Sequence, residues 1–567
     1  MSPPDQHTTA SATQSKRSGV EALKESSRHL RGRLAEELAE GGTQVSEDAY
    51  NLLKFHGTYE QHDRDTATAL KQSGQEKDYS FMVRVRMPGG RLTAAQYLAL
   101  DELADRYANA SLRVTTRQGV QFHGVVKDNL KPAIADINET LLTTQAACGD
   151  VVRNVMCSPA PVHDAIHARL EADARLLSAA LLPASRAYHQ IFLDEPGDPT
   201  GEAEPLYGET YLPRKFKIGI ATPADNTVDV LTNDLGIIAL FDGDRLTGYN
   251  IAVGGGLGMT HNRPNTYPRL ASLVGFVGPD DLVRVTRAVI ALQRDNGDRG
   301  DRKRARLKYV VDDRGLDWVR DTLALHYGER LADPRPMPAF KIPDLLGWHR
   351  QSDGGLWWLG VPVPSGRIVD TADSRLRTAL REAVSRFGTD PVMTPQQDVL
   401  LTDIADADRS AIDSLLRSHG VILAEDITPL ARWTLACPAL PTCGLALTEA
   451  ERVQPALVKI FDDLLARHGL SQERISLRIT GCPNGCARTY AGDIGLVGRV
   501  PGAYAIFVGG DFEGTRLSFK LHERIRQGDL GATLQPIIAA FADDRQNHES
   551  FGDFCHRLGR DALLAIA

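Results

Sequence analysis

Hydrophobic and polar positions divide the chain into strands and helices, and one order of elements occurs twice. From Tyr79, YSFMVRVRMPGGRL predicts a strand and a turn, TAAQYLALDELADRYA an amphipathic helix, and SLRVTTRQGVQFHGV returning strands. A similar strand, helix and strand occupy residues 357–404, where VPSGRI (Val363–Ile368) matches MPGGRL (Met87–Leu92). This degenerate repeat of roughly seventy residues predicts two related halves.

The longer segments that follow each half also correspond. Residues 147–260 contain a Cys/Pro loop, a helical stretch, the basic strand YLPRKFKIGIA and an apolar strand ending in Val-Gly-Gly. Residues 436–510 contain ACPALPTCGLA, a helical stretch, ISLRITGCPNGCA and GAYAIFVGG in the same order. The sequence therefore predicts a duplicated unit in which each half is followed by a longer module.

Five regions follow from this division. The polar, Ser/Thr/Gln-rich start predicts a partly disordered N-terminal arm, and the charged segment after residue 18 predicts a solvated helix more than a docking arm. Pro-rich or acidic stretches at 194–205 and 333–344 are typical of linkers. The predicted boundaries are 1–50 for the arm, 51–146 for the first half, 147–344 for the first module, 345–424 for the second half and 425–567 for the second module.

Composition restricts the partners and the compartment. The 567 residues carry a formal charge of −8, which gives no support for a nucleic-acid surface. No apolar run approaches a membrane span, and the N-terminus lacks the apolar core of a secretory signal, so we expect a cytoplasmic protein. In that reducing compartment Cys148, Cys157 and Cys555 are expected to be buried thiols.

Four of the seven cysteines fall in one segment, as two pairs on tight loops. Cys437 and Cys443 have five residues between them, and Cys482 and Cys486 have three. Pro, Gly and Asn bracket both pairs and favour turns that direct thiolates toward one point, which suits an iron–sulfur cluster. Structural zinc remains an alternative, although its pairs usually lie closer in sequence. Disulfides are disfavoured by the compartment, and unrelated buried cysteines by the paired loops.

Many cations lie on segments predicted to be strands, where an unpaired charge is costly. They are Arg84, Arg86, Arg113, Arg117, Arg153, Arg214, Lys215 and Lys217. A single such cation is usually explained by an ion pair, but this number in an acidic chain favours a pocket for an anionic ligand. The run DRKRARLKY at 301–309 is weaker, because a solvated helix face explains it equally well.

Several motifs resemble the sulfite and nitrite reductase haemoprotein family, most of all its assimilatory sulfite-reducing members. They are KFHGTYEQ, RMPGG, LRVTTRQGVQFHG, RNVMC, YLPRKFK, NIAVGGGL and TGCPNGCAR. They run in order from about Leu30 to Gly552, and the combination of TGCPNGCAR with RKFK is highly specific. The family fold is α+β, with two paired ferredoxin-like halves and two larger modules that enclose the cofactors.

The resemblance implies a sirohaem coupled to a 4Fe–4S cluster through one shared thiolate. By position in the motif, Cys486 resembles this axial ligand, and Cys437, Cys443 and Cys482 complete the cluster. The implied catalytic cations are Arg84, Arg153, Lys215 and Lys217. The implied cofactor-binding residues are Arg113, Arg117, Arg214, Gln121, His123 and Asn484.

The implied activity is the six-electron reduction of sulfite to sulfide. A sirohaem nitrite reductase is the first alternative, although nitrite-type relatives tend to carry Asn where this chain has Lys217. A non-catalytic iron–sulfur or zinc protein that binds an anion is the second. The chain has no convincing flavin or nicotinamide motif, since Gly254–Gly258 lacks the dinucleotide spacing. We therefore expect electrons from a partner. The resemblance favours a flavoprotein subunit that uses NADPH, with a ferredoxin as the alternative.

Overall fold

The structure is a computed structural model that describes residues 17–197, 202–352 and 354–566. Most of the predicted disordered start therefore lies outside the described residues, as does part of the acidic linker. The described arm forms three short helices. They are α1 (Gly19–Ser26), α2 (Leu34–Ala39) and α3 (Glu47–Leu53).

The prediction of a solvated first helix is wrong. Glu21 and Lys24 of α1 are 0% and 1% exposed, because they pair with each other and with charges from the rest of the chain. Sequence periodicity could not show this, since both partners of Lys24 outside the helix lie far along the chain.

The first half combines a sheet with two long helices. Its elements are β1 (Thr58–His62), α4 (Ala67–Gln72), β2 (Tyr79–Arg84), α5 (Ala94–Tyr107), β3 (Leu112–Val114), β4 (Val120–Val125) and α6 (Lys127–Glu139). Thr93 caps α5 by accepting the amide of Gln96, whose side chain in turn accepts the Thr93 amide, so both orphan donors are satisfied.

The first module follows. Its elements are β5 (Val152–Cys157), α7 (Ala165–Ala180), α8 (Ala187–Phe192), β6 (Phe216–Ala221), β7 (Leu235–Asp242), β8 (Arg245–Val253), β9 (Ser272–Val277), α9 (Leu282–Asn296), α10 (Leu307–Arg314) and α11 (Leu316–Tyr327). Its sheet has the order β5-β6-β7-β8-β9, and the first three strands are parallel.

The second half and the second module complete the chain. The half contains β10 (Gly347–Arg350), β11 (Leu356–Val361), β12 (Arg367–Ile368), α12 (Leu376–Phe387), β13 (Pro391–Met393), β14 (Val399–Ala405) and α13 (Arg409–Ser418). The module contains α14 (Pro429–Arg432), β15 (Thr434–Ala436), α15 (Gln454–Arg467), β16 (Leu477–Thr480), β17 (Ile494–Val500), β18 (Ala503–Val508), β19 (Phe519–Arg526), α16 (Leu530–Asp544) and α17 (Phe551–Ile566).

The duplicated α+β fold is confirmed by the topology. The sheet β15-β16-β17-β18-β19 has the parallel and antiparallel pattern of the first module's sheet, and the Val-Gly-Gly segments end β8 and β18, the fourth strands of the two sheets. The two halves pair through backbone hydrogen bonds in both directions. Strand β12 of the second half pairs with β3 of the first, and Arg91 of the first half forms a β-bridge with Val392 of β13. None of the described helices is both long and apolar enough to cross a membrane.

The two matched motifs make the same turn. In MPGGRL the central Gly89 has a φ of 63°, and in VPSGRI the corresponding Ser365 has a φ of 54°. Serine pays a steric penalty in this left-handed region that glycine does not. The buried Ser365 hydroxyl contacts Gln454. The same left-handed turn is therefore present at the matched position of both halves.

Candidate active site

A cationic pocket lies where the basic strand of the first module meets the second cysteine loop. It encloses about 460 Å³ of empty space, including solvent at its mouth. Five of the predicted site residues line it: Arg117, Lys215, Lys217, Asn484 and Cys486. Arg306 and Arg488 add two further cations. A second cavity, of about 290 Å³ beside Arg432 and Trp433, contains none of the predicted residues.

The pKa values of the two lysines of the pocket are strongly lowered. Lys217 lies in β6 and Lys215 directly precedes it, so the two-residue period of an extended chain presents both to one side. Burial, reinforced by Arg153 and Arg214, lowers the pKa of Lys215 to about 7. Burial and then Arg117 lower the pKa of Lys217 well below its ordinary value. Within the described residues no carboxylate forms an ion pair with either ammonium group.

The nearest acid to β6 is already paired. Asp234 accepts the backbone amide of Lys217 at 2.9 Å and two hydrogen bonds of 2.8 Å from Arg306. Arg306 and Lys308 are 7% and 0% exposed, so the interpretation of their segment as a solvated helix face is wrong for these two residues. Lys308 donates to the carbonyls of Gly256 and Gly258 at 3.0 and 2.9 Å and thereby fixes the glycine-rich loop.

Arg84 and Arg153 are held by neutral groups. Arg84 ends β2 and donates to the Cys148 sulfur at 3.0 Å, whereas Arg153 donates to the Tyr59 hydroxyl and the Gly149 carbonyl, both at 3.3 Å. Both arginines act electrostatically on residues of the pocket. Arg153 helps to lower the pKa of Lys215, and Arg84 helps to lower the pKa of Arg117. The sequence does not reveal that Cys148 contacts Arg84 and that Tyr59 contacts Arg153, because these contacts join segments about 60 to 90 residues apart.

Arg113, Arg117 and Arg214 have three different environments. The Arg113 guanidinium pairs with Glu451 at 3.2 Å and donates to the Ala436 carbonyl, so it anchors the residue before Cys437. Arg117 donates to Asn233 and to two carbonyls, and burial lowers its pKa to about 9. Arg214 lies 3.8 Å from Asp150.

Gln121 and His123 lie together on β4. Gln121 is opposite Arg84 on one side and Arg113 on the other in the strand register. His123 is 1% exposed, and neither ring nitrogen has a hydrogen-bond partner among the described residues. Burial, together with Arg367, Arg113 and Arg84, lowers its pKa strongly, so the ring is neutral.

The cysteine loops begin at one edge of the second module's sheet. Cys437 directly follows β15, and Cys482 lies two residues after β16, which is the parallel neighbour of β15. The Gly481 amide donates to the Cys437 sulfur at 3.4 Å. The four thiols interact electrostatically: after burial, Cys486 contributes most to raising the pKa of Cys437, and it also helps to raise the pKa of Cys482 to about 12.

Cys486 connects the two parts of the site. It is exposed and lines the cationic pocket, and its carbonyl accepts a 2.9 Å hydrogen bond from Thr116 of the first half. In the described ranges no three His, Cys, Asp or Glu side chains converge as ligands of a single metal ion. That finding concerns a single ion, whereas a 4Fe–4S cluster would be held by four thiolates on separate iron atoms. Cys148, Cys157 and Cys555 are buried free thiols, as predicted.

Unpartnered polar atoms fit the predicted polycarboxylate cofactor. Besides both nitrogens of His123, the Nε groups of Arg84, Arg117 and Arg488 are buried without a hydrogen-bond partner in the described part of the chain. Such groups are costly unless a ligand satisfies them, and sirohaem carboxylates would accept from the guanidinium groups. The donors and the pocket beside Cys486 therefore fit a sirohaem.

The fold, the paired cysteine loops and the cationic pocket are those expected of an iron–sulfur redox protein that acts on an anion. Family models match most of its length: a nitrite and sulphite reductase 4Fe–4S domain at residues 172–331 and 430–566, and a nitrite/sulfite reductase ferredoxin-like half domain at 73–140 and 349–419. The chain belongs to the nitrite and sulfite reductase family. The predictions of family, fold class and 4Fe–4S cluster are confirmed.

Full-length relatives agree with this assignment. The sulfite reductase [NADPH] hemoprotein beta-component of Myxococcus xanthus is 46% identical over 97% of this chain and 98% of its own length. The sulfite reductase [ferredoxin] of Synechococcus elongatus is 44% identical over 97% and 91% of the two chains. The solved structure of the Mycobacterium tuberculosis NirA protein matches with a TM-score of 0.76 and 25% identity over 96% of both chains.

Proposed function

We propose that the chain is the haemoprotein of an assimilatory sulfite reductase and that it reduces sulfite to sulfide with six electrons. The observation that carries this proposal is the pair Lys215 and Lys217, two half-buried lysines in a pocket that includes Cys486, with which no carboxylate of the described residues forms an ion pair. The names of the relatives, which are 44–46% identical over nearly the whole chain, support sulfite as the substrate.

A 4Fe–4S cluster would be held by Cys437, Cys443, Cys482 and Cys486, and a sirohaem would lie in the pocket beside Cys486. When bound, they supply single electrons to the substrate at iron. The family model supports the cluster, and the hemoprotein relatives support the haem.

The protein residues hold the oxyanion and move protons. Arg84 and Arg153 bind the substrate oxygens, because among the described residues their guanidinium groups donate only to the Cys148 sulfur, the Tyr59 hydroxyl and the Gly149 carbonyl. Lys215, with a pKa of about 7, both holds and releases a proton at neutral pH, as a general acid must. A bound anion favours the protonated form of Lys217 and so opposes the lowering of its pKa by burial and by Arg117.

Arg113, Arg117, Gln121, His123 and Asn484 are assigned to the cofactors. Arg117 and Asn484 line the pocket, and His123 brings two unpartnered nitrogen atoms. Arg113 also secures the strand before Cys437 through Glu451. Arg214 is assigned to the border of the site, where Asp150 partly offsets its charge.

The decisive experiment measures sulfide from sulfite with the purified holoprotein and a reduced artificial one-electron donor. We expect six electrons consumed for each sulfide formed, and absorption bands typical of sirohaem. A parallel assay with nitrite tests the nitrite reductase alternative. Ammonia formation at a higher kcat/KM than sulfide formation would favour that alternative, and a colourless protein would contradict both activities.

The electron donor is a partner protein, either a flavoprotein subunit that uses NADPH or a ferredoxin. Relatives of both kinds match at comparable identity, so the sequence comparison supports a donor of this type without selecting one. Mixing the holoprotein with each donor while following sulfide would select the physiological class.

A further inference from the structure

The N-terminal helix α1 contributes two buried charges to a network beside the site. Glu21 and Lys24 are 0% and 1% exposed, and their charged groups lie 2.5 Å apart. Buried charges of this kind destabilise a protein unless other groups satisfy them. Arg299 and Arg302 also bind the Glu21 carboxylate, and Asp150 lies 3.7 Å from the Lys24 ammonium.

The cations of this network hold four successive backbone carbonyls. Arg299 donates to the carbonyls of Thr210 and Tyr211, at 3.4 and 2.8 Å. Lys24 donates to the Leu212 carbonyl at 2.8 Å, and Arg302 to the Pro213 carbonyl at 3.5 Å. The segment 210–213 leads directly into Arg214, Lys215 and β6, so the network fixes the approach to the substrate lysines.

Asp150 closes the network on the side of the site. Its carboxylate accepts from Arg302 at 2.8 Å and lies 3.8 Å from Arg214, and its carbonyl accepts the Leu212 amide at 3.0 Å. Arg153 follows three residues later on β5. Helix α1 is therefore connected through one acid to the segment that leads into Lys215 and Lys217 and to the strand that carries Arg153.

We propose that Glu21 and Lys24 are positioning residues, which place Lys215 and Lys217 for the oxyanion by fixing residues 210–213. The inference rests on the proposed function for the role of the two lysines. Small displacements of substrate-holding groups are expensive, since a shift of about 1 Å can reduce a rate about 100-fold. Helix α1 thus belongs to the active-site framework.

The test compares the holoprotein with its Lys24→Met variant, which removes the donor to Leu212 but leaves Glu21 paired with two arginines. Hydrogen–deuterium exchange should become faster in residues 210–217, whose Leu212 and Phe216 amides are hydrogen-bonded in the wild type. Sulfite affinity, titrated through the haem absorption band, should weaken with the positioning of the lysines. We expect kcat/KM to fall about 10- to 100-fold while iron and haem contents stay unchanged.

Arg377→Met is the matched control. Arg377 is 6% exposed and pairs with the buried Asp101 at 2.6 Å, between α12 and α5. The Arg377→Met substitution should lower the Tm as Lys24→Met does, without changing hydrogen–deuterium exchange in residues 210–217 or the affinity for sulfite. If Lys24→Met does not fold, Arg299→Gln, which releases the carbonyls of Thr210 and Tyr211, should give the same exchange and affinity changes.

A folded Lys24→Met variant with a lower Tm but wild-type exchange and sulfite affinity would overturn the inference and leave α1 a merely structural element. Failure of the proposed function has a different signature. In that case the wild type itself would neither bind nor reduce sulfite, whatever the exchange data show.

Discussion

Arg306 donates two hydrogen bonds of 2.8 Å to the Asp234 carboxylate, and the same carboxylate accepts the backbone amide of Lys217. Asp234 is fully buried and Arg306 nearly so. The pair therefore joins the start of α10 to β6, and within the described residues no acid forms an ion pair with the Lys217 side chain.

Removing the Asp234 charge should destabilise the protein. Asp234→Asn leaves the buried Arg306 guanidinium uncompensated, and breaking a buried pair in this way typically costs about 3–5 kcal/mol. Thermal or denaturant unfolding measures the loss. The control is Asp242→Asn, because the Asp242–Arg245 pair is exposed and should contribute about 0–1 kcal/mol. An equal loss of unfolding free energy in the two variants would contradict a stabilising role of the buried Asp234–Arg306 pair.

Lys217→Asn should reduce sulfite turnover by about 10²–10⁴-fold, as the loss of a general acid does. The amide keeps a hydrogen-bond donor but removes the charge and the transferable proton. Nitrite, which carries less charge than the sulfite dianion and loses two oxygens as water instead of three, should be affected less. Steady-state rates with both substrates, measured beside sirohaem occupancy, check this.

The exposed Lys459, which pairs with Asp463 on α15, gives the control Lys459→Asn, which should leave both rates unchanged. Parallel loss of both activities together with lost haem in Lys217→Asn would mean that Lys217 only binds the cofactor.

Sulfite turnover should decline as the pH rises through about 7. The pKa of Lys215 is lowered to about 7 by burial and by Arg153, so the fraction that can donate a proton falls above this pH. Lys215→Arg, whose guanidinium stays protonated, should lose this pH-dependent limb. The pH profile of kcat/KM provides the measurement, and an unchanged limb in the variant would assign it to another group.

The same pKa shift has a definite sign for stability. Between pH 7 and the ordinary lysine pKa of 10.5, the unfolded chain binds a proton at Lys215 that the folded chain does not. The contribution of Lys215 to the free energy of unfolding should therefore rise with pH over this window. Unfolding of wild type and Lys215→Met across the window isolates this contribution, and parallel curves would contradict it.

Cys482→Ser should lower iron and acid-labile sulfide, because it removes one of four cluster ligands. Cys555→Ser is the control, since Cys555 is an equally buried thiol in the core of the same module. Metal analysis of both variants and the wild type checks the expectation. Zinc without labile sulfide in the wild-type protein would refute the cluster assignment.

The isolated chain should not oxidise NADPH, because its sequence contains no convincing flavin or nicotinamide motif. It should still reduce sulfite with a strong artificial one-electron donor. Parallel assays with the two reductants are sufficient. Sulfite reduction by the chain and NADPH alone would reveal a nucleotide site that the sequence conceals.

The sequence by itself determined the duplication and the family, and it predicts the four cysteine ligands of the cluster. Val-Gly-Gly at the ends of β8 and β18, and the turns at Gly89 and Ser365, are local patterns that survive in each copy. The spacing of Cys437, Cys443, Cys482 and Cys486 is equally local, because a cluster loop is specified by a few neighbouring turn residues.

Only the tertiary structure decided which cations are free and which are paired. Arg113 and Arg86 read like Lys217 in sequence, yet Arg113 pairs with Glu451, and Arg86 is buried among carbonyls and Ser178. Glu21 and Lys24 likewise read as solvated, but they close a buried network with residues more than a hundred positions away. The state of a charge depends on desolvation and on partners from distant segments, and neither is encoded in local spacing.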